Sequence, residues 1–183
     1  MSFAFVSGIA FAILLILVAL WSIIFPQRSI WPPARRSLLI EIGIWPATVM
    51  IFWSAASVGL ADWNSLEWST SFRWGIGLPM MLVANLLVSV GMWQLGLANT
   101  SGIPVGLVTT GLYRLSRNPQ YLGNSIALAG WFILSASVLT LPAVLLGVVM
   151  FMLATEAEDR WMAIKFGGDF YRWKDVTPRL LFR

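Results

Sequence analysis

The sequence contains no cysteine and no histidine among its 183 residues. Without cysteine, neither a disulfide framework nor a thiolate metal site is available. Without histidine, the commonest general base and the commonest zinc ligand are both missing. Any polar chemistry must therefore rely on carboxylates, tyrosine, lysine or arginine, and we expect no metal cofactor.

Charge is also scarce, because only 11% of the residues are Asp, Glu, Lys or Arg while 58% are hydrophobic. A soluble domain usually carries roughly 25% charged residues. Two long segments, residues 74–113 and 118–155, carry no charge at all. Each exceeds the roughly 20 apolar residues that cross a bilayer as a helix, so the sequence predicts an integral membrane protein. The net charge of +4 is modest and forms no basic face, so we expect no nucleic-acid partner.

The hydrophobic runs predict an all-α, polytopic membrane protein with about five transmembrane helices. The predicted ranges are helix 1 at Phe3–Phe25, helix 2 at Leu38–Ala61, helix 3 at Trp74–Ala98, and a hairpin of helices 4 and 5 within Tyr121–Thr155. Ser135 to Ser137 and Pro142 interrupt the last range, so at least one hairpin helix is expected to be short for a full span. The amide of Asn85 is expected to hydrogen-bond to another helix.

The segment after Thr155 is polar, but an apolar stripe of roughly helical spacing runs through it from Trp161 to Val176. We expect a helical C-terminal tail that folds back against the membrane helices or the headgroup layer.

Lysine and arginine alternate between the predicted loops. Arg28, Arg35 and Arg36 lie in the first loop, Arg73 alone in the second, Arg114 and Arg117 in the third, none in the hairpin turn, and six after Thr155. Because cytoplasmic loops carry the excess of basic residues, this pattern places the N-terminus outside and the C-terminal tail in the cytoplasm. We expect a prokaryotic inner (cytoplasmic) membrane as the location.

Polar residues gather in two segments, residues 109–123 and 156–179, which this topology brings to the same side. Gly111 and the Asn118-Pro119 pair are typical of a turn leading into helix 4. Taken alone, Arg114 and Arg117 fit a role as anchors for lipid phosphates as well as they fit a role in a functional site. No dinucleotide fingerprint, phosphate-binding loop or serine–histidine arrangement occurs in the sequence, which excludes a soluble Rossmann-type enzyme.

Both polar segments carry a motif. Residues Gly111 to Gly123 match G-x-Y-x-x-x-R-[HN]-P-x-Y-x-G, and residues Glu158 to Arg179 match an acidic pair followed by F-G-x-x-aromatic-x-x-aromatic and V-x-P-R. In these motifs the chain resembles the isoprenylcysteine carboxyl methyltransferase and phospholipid methyltransferase superfamily of integral membrane methyltransferases. The resemblance covers roughly residues 103–179.

The resemblance implies an S-adenosylmethionine-dependent methyltransferase that acts on a lipophilic, membrane-soluble acceptor, either isoprenylcysteine-like or a lipid, and releases S-adenosylhomocysteine. It implies cofactor contacts by Val105, Gly106, Leu107, Val108, Tyr113, Asn118, Pro119, Gln120, Tyr121 and Glu158. Arg117, Asn118 and Tyr121 are the catalytic candidates. Within a single domain over residues 1–183, residues 1–98 are expected to be scaffold and residues 99–183 to hold the cofactor.

Three positions depart from the superfamily pattern, and at one of them Asp159 shortens the second acidic side chain. Asn118 stands where histidine is common, and Ala154 stands where eukaryotic isoprenylcysteine enzymes have a substrate-binding arginine. The alternatives are an NADPH-dependent sterol-type reductase, which typically has N-Y-x-G-[DE] at the turn, and a non-enzymatic scaffold or channel. The reductase motif is not met by residues 118–124, and a scaffold does not account for the second motif.

Overall fold

The computed structural model describes residues 2–33, 38–102 and 105–181, without the side chains of residues 2 and 38–41. Within these ranges all regular structure is helical, as the sequence predicts. Arg35 and Arg36, which contribute to the predicted charge pattern, lie outside the described residues.

Six helices make up the described part of the chain. They are α1 (Ser2–Ile24), α2 (Leu38–Ala61), α3 (Thr70–Thr100), α4 (Pro119–Ser135), α5 (Leu141–Phe166) and α6 (Gly168–Val176). Short 3₁₀ turns at Pro26–Arg28, Gly111–Arg114 and Val138–Thr140 connect them.

Among the described residues, four stretches are long and apolar enough to span a membrane: Phe3–Ile24, Ile42–Ala61, Thr70–Thr100 and Val138–Phe166. Helix α4 has 17 residues, which gives a length of about 25 Å at 1.5 Å per residue, against a hydrocarbon core of about 30 Å. The prediction that one hairpin helix is short for a full span is therefore confirmed.

Helix α3 begins earlier than the sequence indicates. The prediction that residues up to Arg73 form a loop is wrong, because Ser69 caps the helix by accepting from the Phe72 backbone N–H and the first turn starts at Thr70. A π-helical turn over Arg73–Gly77 follows immediately. It precedes Pro79, which has no N–H to donate to the preceding turn, and a wider turn accommodates that missing bond.

The hairpin of α4 and α5 is confirmed. The chain reverses after α4 at Ala136, which adopts a left-handed conformation with φ of 45°. The Asp62 carboxylate, at the end of α2, accepts hydrogen bonds from the Ser137 hydroxyl and the Leu139 backbone N–H. The expectation for Asn85 is wrong, because its amide donates to the Met81 carbonyl of its own helix at 2.8 Å.

Helix α5 packs against α1 and α4, and α3 packs along α4. The α3–α4 contact is close because Gly123 faces the backbone of Ala84; a Cβ at residue 123 would lie 2.9 Å from the Ala84 carbonyl oxygen. This packing brings five helix termini together at one end of the bundle. They are the ends of α1, α3 and α5 and the starts of α2 and α4.

The C-terminal tail folds back on this same end, as expected. Helix α5 continues past the predicted limit of Thr155 to Phe166, and α6 then packs into a second apolar cluster. The buried members of this cluster are Tyr113, Trp161, Met162, Phe170 and Trp173. The tail thus forms one wall of the space beneath the loop that precedes α4.

Candidate active site

A cavity opens at the end of the bundle where the loops and the tail meet. Its empty volume is about 1210 Å³, a figure that includes open solvent. The part of the wall that the loops and helix ends form, which we call the mouth, carries polar and aromatic side chains among apolar ones, including Asn99, Tyr113, Gln120, Tyr121, Glu158 and Trp161. The deeper wall is apolar and comes from α1, α2 and α5, including Leu15, Val18, Ile44, Met150 and Phe151. A single cavity thus joins a polar compartment to an apolar one.

Glu158 is the acidic group of this cavity. Its Oε1 accepts a hydrogen bond from the Tyr121 hydroxyl at 3.2 Å, and the Tyr121 oxygen in turn accepts from Trp31 Nε1 at 3.1 Å. No ion pair to Glu158 occurs among the described residues. A carboxylate in such surroundings favours a ligand that brings hydrogen-bond donors or positive charge.

Tyr113 and Gln120 form a second polar pair in the cavity wall. Gln120 Nε2 donates to the Tyr113 oxygen at 3.1 Å and approaches Thr100 Oγ1 at 3.4 Å. Burial raises the pKa of Tyr113 well above its ordinary value. The hydroxyl therefore remains protonated at neutral pH, and it points towards the Gly91 carbonyl at 3.4 Å.

Arg117 borders the cavity, but its guanidinium is engaged in the fold. It forms a bidentate ion pair with Asp159, with Nη2 2.7 Å from Oδ2 and Nε 3.3 Å from Oδ1. Its Nη1 donates to the Thr177 carbonyl of the tail at 2.6 Å. Because its side chain is 5% exposed, Arg117 is not a lipid anchor, whereas Arg114 is exposed.

Asn118 joins the turn to the tail and leaves one atom without a partner. Its Nδ2 donates to the Arg179 carbonyl at 3.1 Å, while its Oδ1 is buried and accepts no hydrogen bond within the described chain. Buried acceptors are nearly always satisfied in folded proteins. The Oδ1 is therefore an unsatisfied acceptor enclosed by the turn and the tail beside the cavity.

The structure brings most of the predicted site residues together. Those that line the cavity are Gly106, Leu107, Val108, Tyr113, Arg117, Asn118, Gln120, Tyr121 and Glu158. Two do not line it. Val105 is 73% exposed, and Pro119 packs beside Gly91 on α3, where its Cγ lies 3.6 Å from the position of an added Cβ.

Several lining residues carry no signal that singled them out in the sequence. Trp31 comes from the first loop, and Asn124 lies one helical turn deeper than Gln120 on the same face of α4. Asn99 and Asn124 each lie between small residues and belong to no motif that marks them as site residues. Nothing in the sequence distinguishes Trp31 from the other tryptophans near helix ends.

These features define a polytopic helical membrane protein with a cavity that is polar at its mouth and apolar at its base. The family model for phospholipid methyltransferase matches residues 72–169, just over half of the chain, and the chain belongs to this family. The family implies a membrane methyltransferase. The matched range includes both Asn118 and Glu158, but not Trp31. No curated protein and no solved structure matches the chain.

Proposed function

We propose that the protein is an S-adenosylmethionine-dependent methyltransferase that acts on a lipophilic, membrane-soluble acceptor. The observation that carries this proposal is the single cavity in which Glu158 and Tyr121 stand at the boundary between a polar mouth and an apolar base. In a phospholipid methyltransferase family member, a water-soluble cofactor and a lipid-soluble acceptor need such a shared space.

The residues at the polar mouth fit the cofactor. Glu158 accepts hydrogen bonds and attracts positive charge, which suits the ammonium group or the ribose hydroxyls of S-adenosylmethionine. The amide side chains of Asn99 and Gln120, which line the cavity, suit the polar edge of the adenine. Trp161 and Tyr113 offer aromatic faces beside these polar atoms for a purine or a sulfonium.

S-Adenosylmethionine supplies an electrophilic methyl group on a sulfonium, so the reaction depends on alignment and exclusion of water more than on acid–base catalysis. On this proposal Tyr121 touches the ligands, since its hydroxyl lies in the cavity beside Glu158. Arg117 instead positions the tail over the site through Thr177 and Asp159. The chain can therefore do this work without histidine or cysteine.

The acceptor is proposed to bind in the apolar base of the cavity, between α1, α2 and α5. Leu15, Ile44 and Phe151 line this region, and each belongs to a helix that is long and apolar enough to span a membrane. Such walls suit the chain of an isoprenylcysteine-like compound or of a lipid. The basic residues of the cavity end, including Arg114, Arg160, Lys165 and Lys174, support a cytoplasmic mouth with the N-terminus outside.

Titration calorimetry on detergent-purified protein tests the cofactor. We expect saturable binding of S-adenosylhomocysteine in the micromolar range, which corresponds to about −8 kcal/mol. Glu158→Gln is expected to weaken binding at least about tenfold, because a hydrogen bond to a charged group contributes roughly 1.5–3 kcal/mol. The matched control is Glu156→Gln on the same helix, because Glu156 pairs with Arg160 and Arg179 and does not line the cavity.

Absence of saturable heat with the unaltered protein would refute the proposed cofactor, and normal binding by Glu158→Gln would refute the assigned site. Tight binding of NADPH instead would favour the reductase alternative. Comparing lipids from cells with and without the protein for a mass increase of one CH₂ then identifies the acceptor.

A further inference from the structure

Trp31 lies in the first loop, outside the range that the family model matches, yet it lines the cavity and contacts the Tyr121 side chain there. Its indole Nε1 donates to the Tyr121 oxygen at 3.1 Å, and this bond joins residues 90 positions apart in the chain. Tyr121 donates onward to Glu158 at 3.2 Å. The three side chains form a directional series of hydrogen bonds that ends on the carboxylate.

The loop that carries Trp31 is held firmly in place. The buried Ser22 hydroxyl accepts from the backbone N–H groups of Ile30 and Trp31, both at 3.1 Å, and donates to Val18. On the other side, Trp161 Nε1 donates to the Pro33 carbonyl at 3.2 Å. These bonds fix the backbone on both sides of the indole, so the indole N–H is a positioned donor.

The donor restricts what the Tyr121 hydroxyl can do. A phenolic hydroxyl has one proton to donate and lone pairs to accept, whereas an indole N–H can only donate. With Trp31 bonded to its oxygen, Tyr121 directs its proton to Glu158, and each bond in the series polarises and strengthens the next. The second Glu158 oxygen accepts no hydrogen bond from the described residues and is left for the ligand.

We infer that Trp31 is a positioning residue of the active site, which acts through the Tyr121 hydroxyl to hold Glu158 in its ligand-binding geometry. The inference rests on the proposed function, because it assigns Glu158 to cofactor binding. It extends the site into the first loop, which lies within residues 1–98, the part that the sequence predicts to be scaffold.

A double-mutant cycle on S-adenosylhomocysteine affinity tests the inference. Trp31→Phe keeps an aromatic ring but removes the N–H, and we expect affinity about three- to tenfold weaker, the range for one lost hydrogen bond between neutral groups. In a Tyr121→Phe background the same substitution is expected to have no further effect, because the group through which Trp31 acts is gone. A purely structural role would give additive losses.

Trp21→Phe is the matched control. The Trp21 indole also ties the loop, by donating to the Arg28 carbonyl at 3.1 Å, but it does not line the cavity. We expect its S-adenosylhomocysteine affinity to match that of the unaltered protein.

The possible results separate the two proposals. If the unaltered protein does not bind S-adenosylhomocysteine, the proposed function fails and this inference fails with it. If it binds, but Trp31→Phe has no effect or its effect adds to that of Tyr121→Phe, only the inference is overturned. A Trp31→Phe protein that does not fold would show that the indole serves the fold, which also overturns the inference.

Discussion

The buried ion pair between Arg117 and Asp159 predicts a large loss of stability when one partner is neutralised. The two side chains are 5% and 4% exposed, and their closest atoms lie 2.7 Å apart. Asp159→Asn keeps the shape of the side chain but removes the charge, so the Arg117 cation stays buried without its carboxylate. Breaking a buried pair in this way costs about 3–5 kcal/mol, and we expect the free energy of unfolding to fall by that amount.

A control on the same helix separates this effect from a general effect of lost charge. Glu156 pairs with Arg160 and Arg179, but these side chains are 28–48% exposed. Exposed pairs contribute about 0–1 kcal/mol, so Glu156→Gln should be nearly neutral. The double variant Arg117→Met with Asp159→Asn should recover part of the loss, because no buried cation remains.

Unfolding in mixed micelles, followed by tryptophan fluorescence against the fraction of denaturing detergent, measures these differences. Limited trypsin digestion adds a local measurement, since Arg117 also holds the tail at Thr177. Early cleavage after Arg172 or Lys174 is expected in Asp159→Asn alone. A loss in Asp159→Asn no larger than that in Glu156→Gln would refute the argument from burial.

Two further predictions concern helix packing and topology. Gly123→Ala should destabilise the protein by about 1–3 kcal/mol in the same micelle assay, because its Cβ would press on the Ala84 backbone, whereas Gly75→Ala has free space and should be neutral. Because the chain has no cysteine, single-cysteine variants report orientation directly: in intact cells an impermeant maleimide should label Ser65→Cys and not Lys174→Cys, and the reverse pattern would contradict the proposed orientation.

Hydropathy predicted the helices well where a charged or proline-rich segment bounds an apolar run. Helix α2 therefore has the predicted limits of Leu38 and Ala61. The start of α3 was predicted wrongly because Arg73 reads as a loop charge in the sequence. In the structure Arg73 is 4% exposed, donates to the Leu134 carbonyl at 2.9 Å and lies 4.4 Å from the centre of the Trp63 ring. Partners so distant in the chain cannot be read from local composition.

The residues of the candidate site likewise divide into those that the sequence identified and those that depend on distant contacts. The motif residues of the turn and of α5 could be named from the sequence, and most of them line the cavity. The contributions of α1, the first loop and α2 could not be predicted, because they depend on how the helices pack. Trp31 and Tyr121 meet only when the first loop folds over the start of α4.

The adjacent carboxylates of Glu158 and Asp159 explain how a site of few charges is held rigid. Successive residues of a helix point about 100° apart, so the two side chains face different neighbours. The longer Glu158 side chain reaches Tyr121 in the cavity, whereas the shorter Asp159 side chain pairs with Arg117 against the helix. Arg117 precedes α4 and Tyr121 lies in its first turn, so the start of α4 is joined to α5 at two points. On the proposed function, a ligand bound by Glu158 is held by α5, which the Asp159–Arg117 ion pair already fixes in place. A reaction that depends on alignment requires such preorganisation.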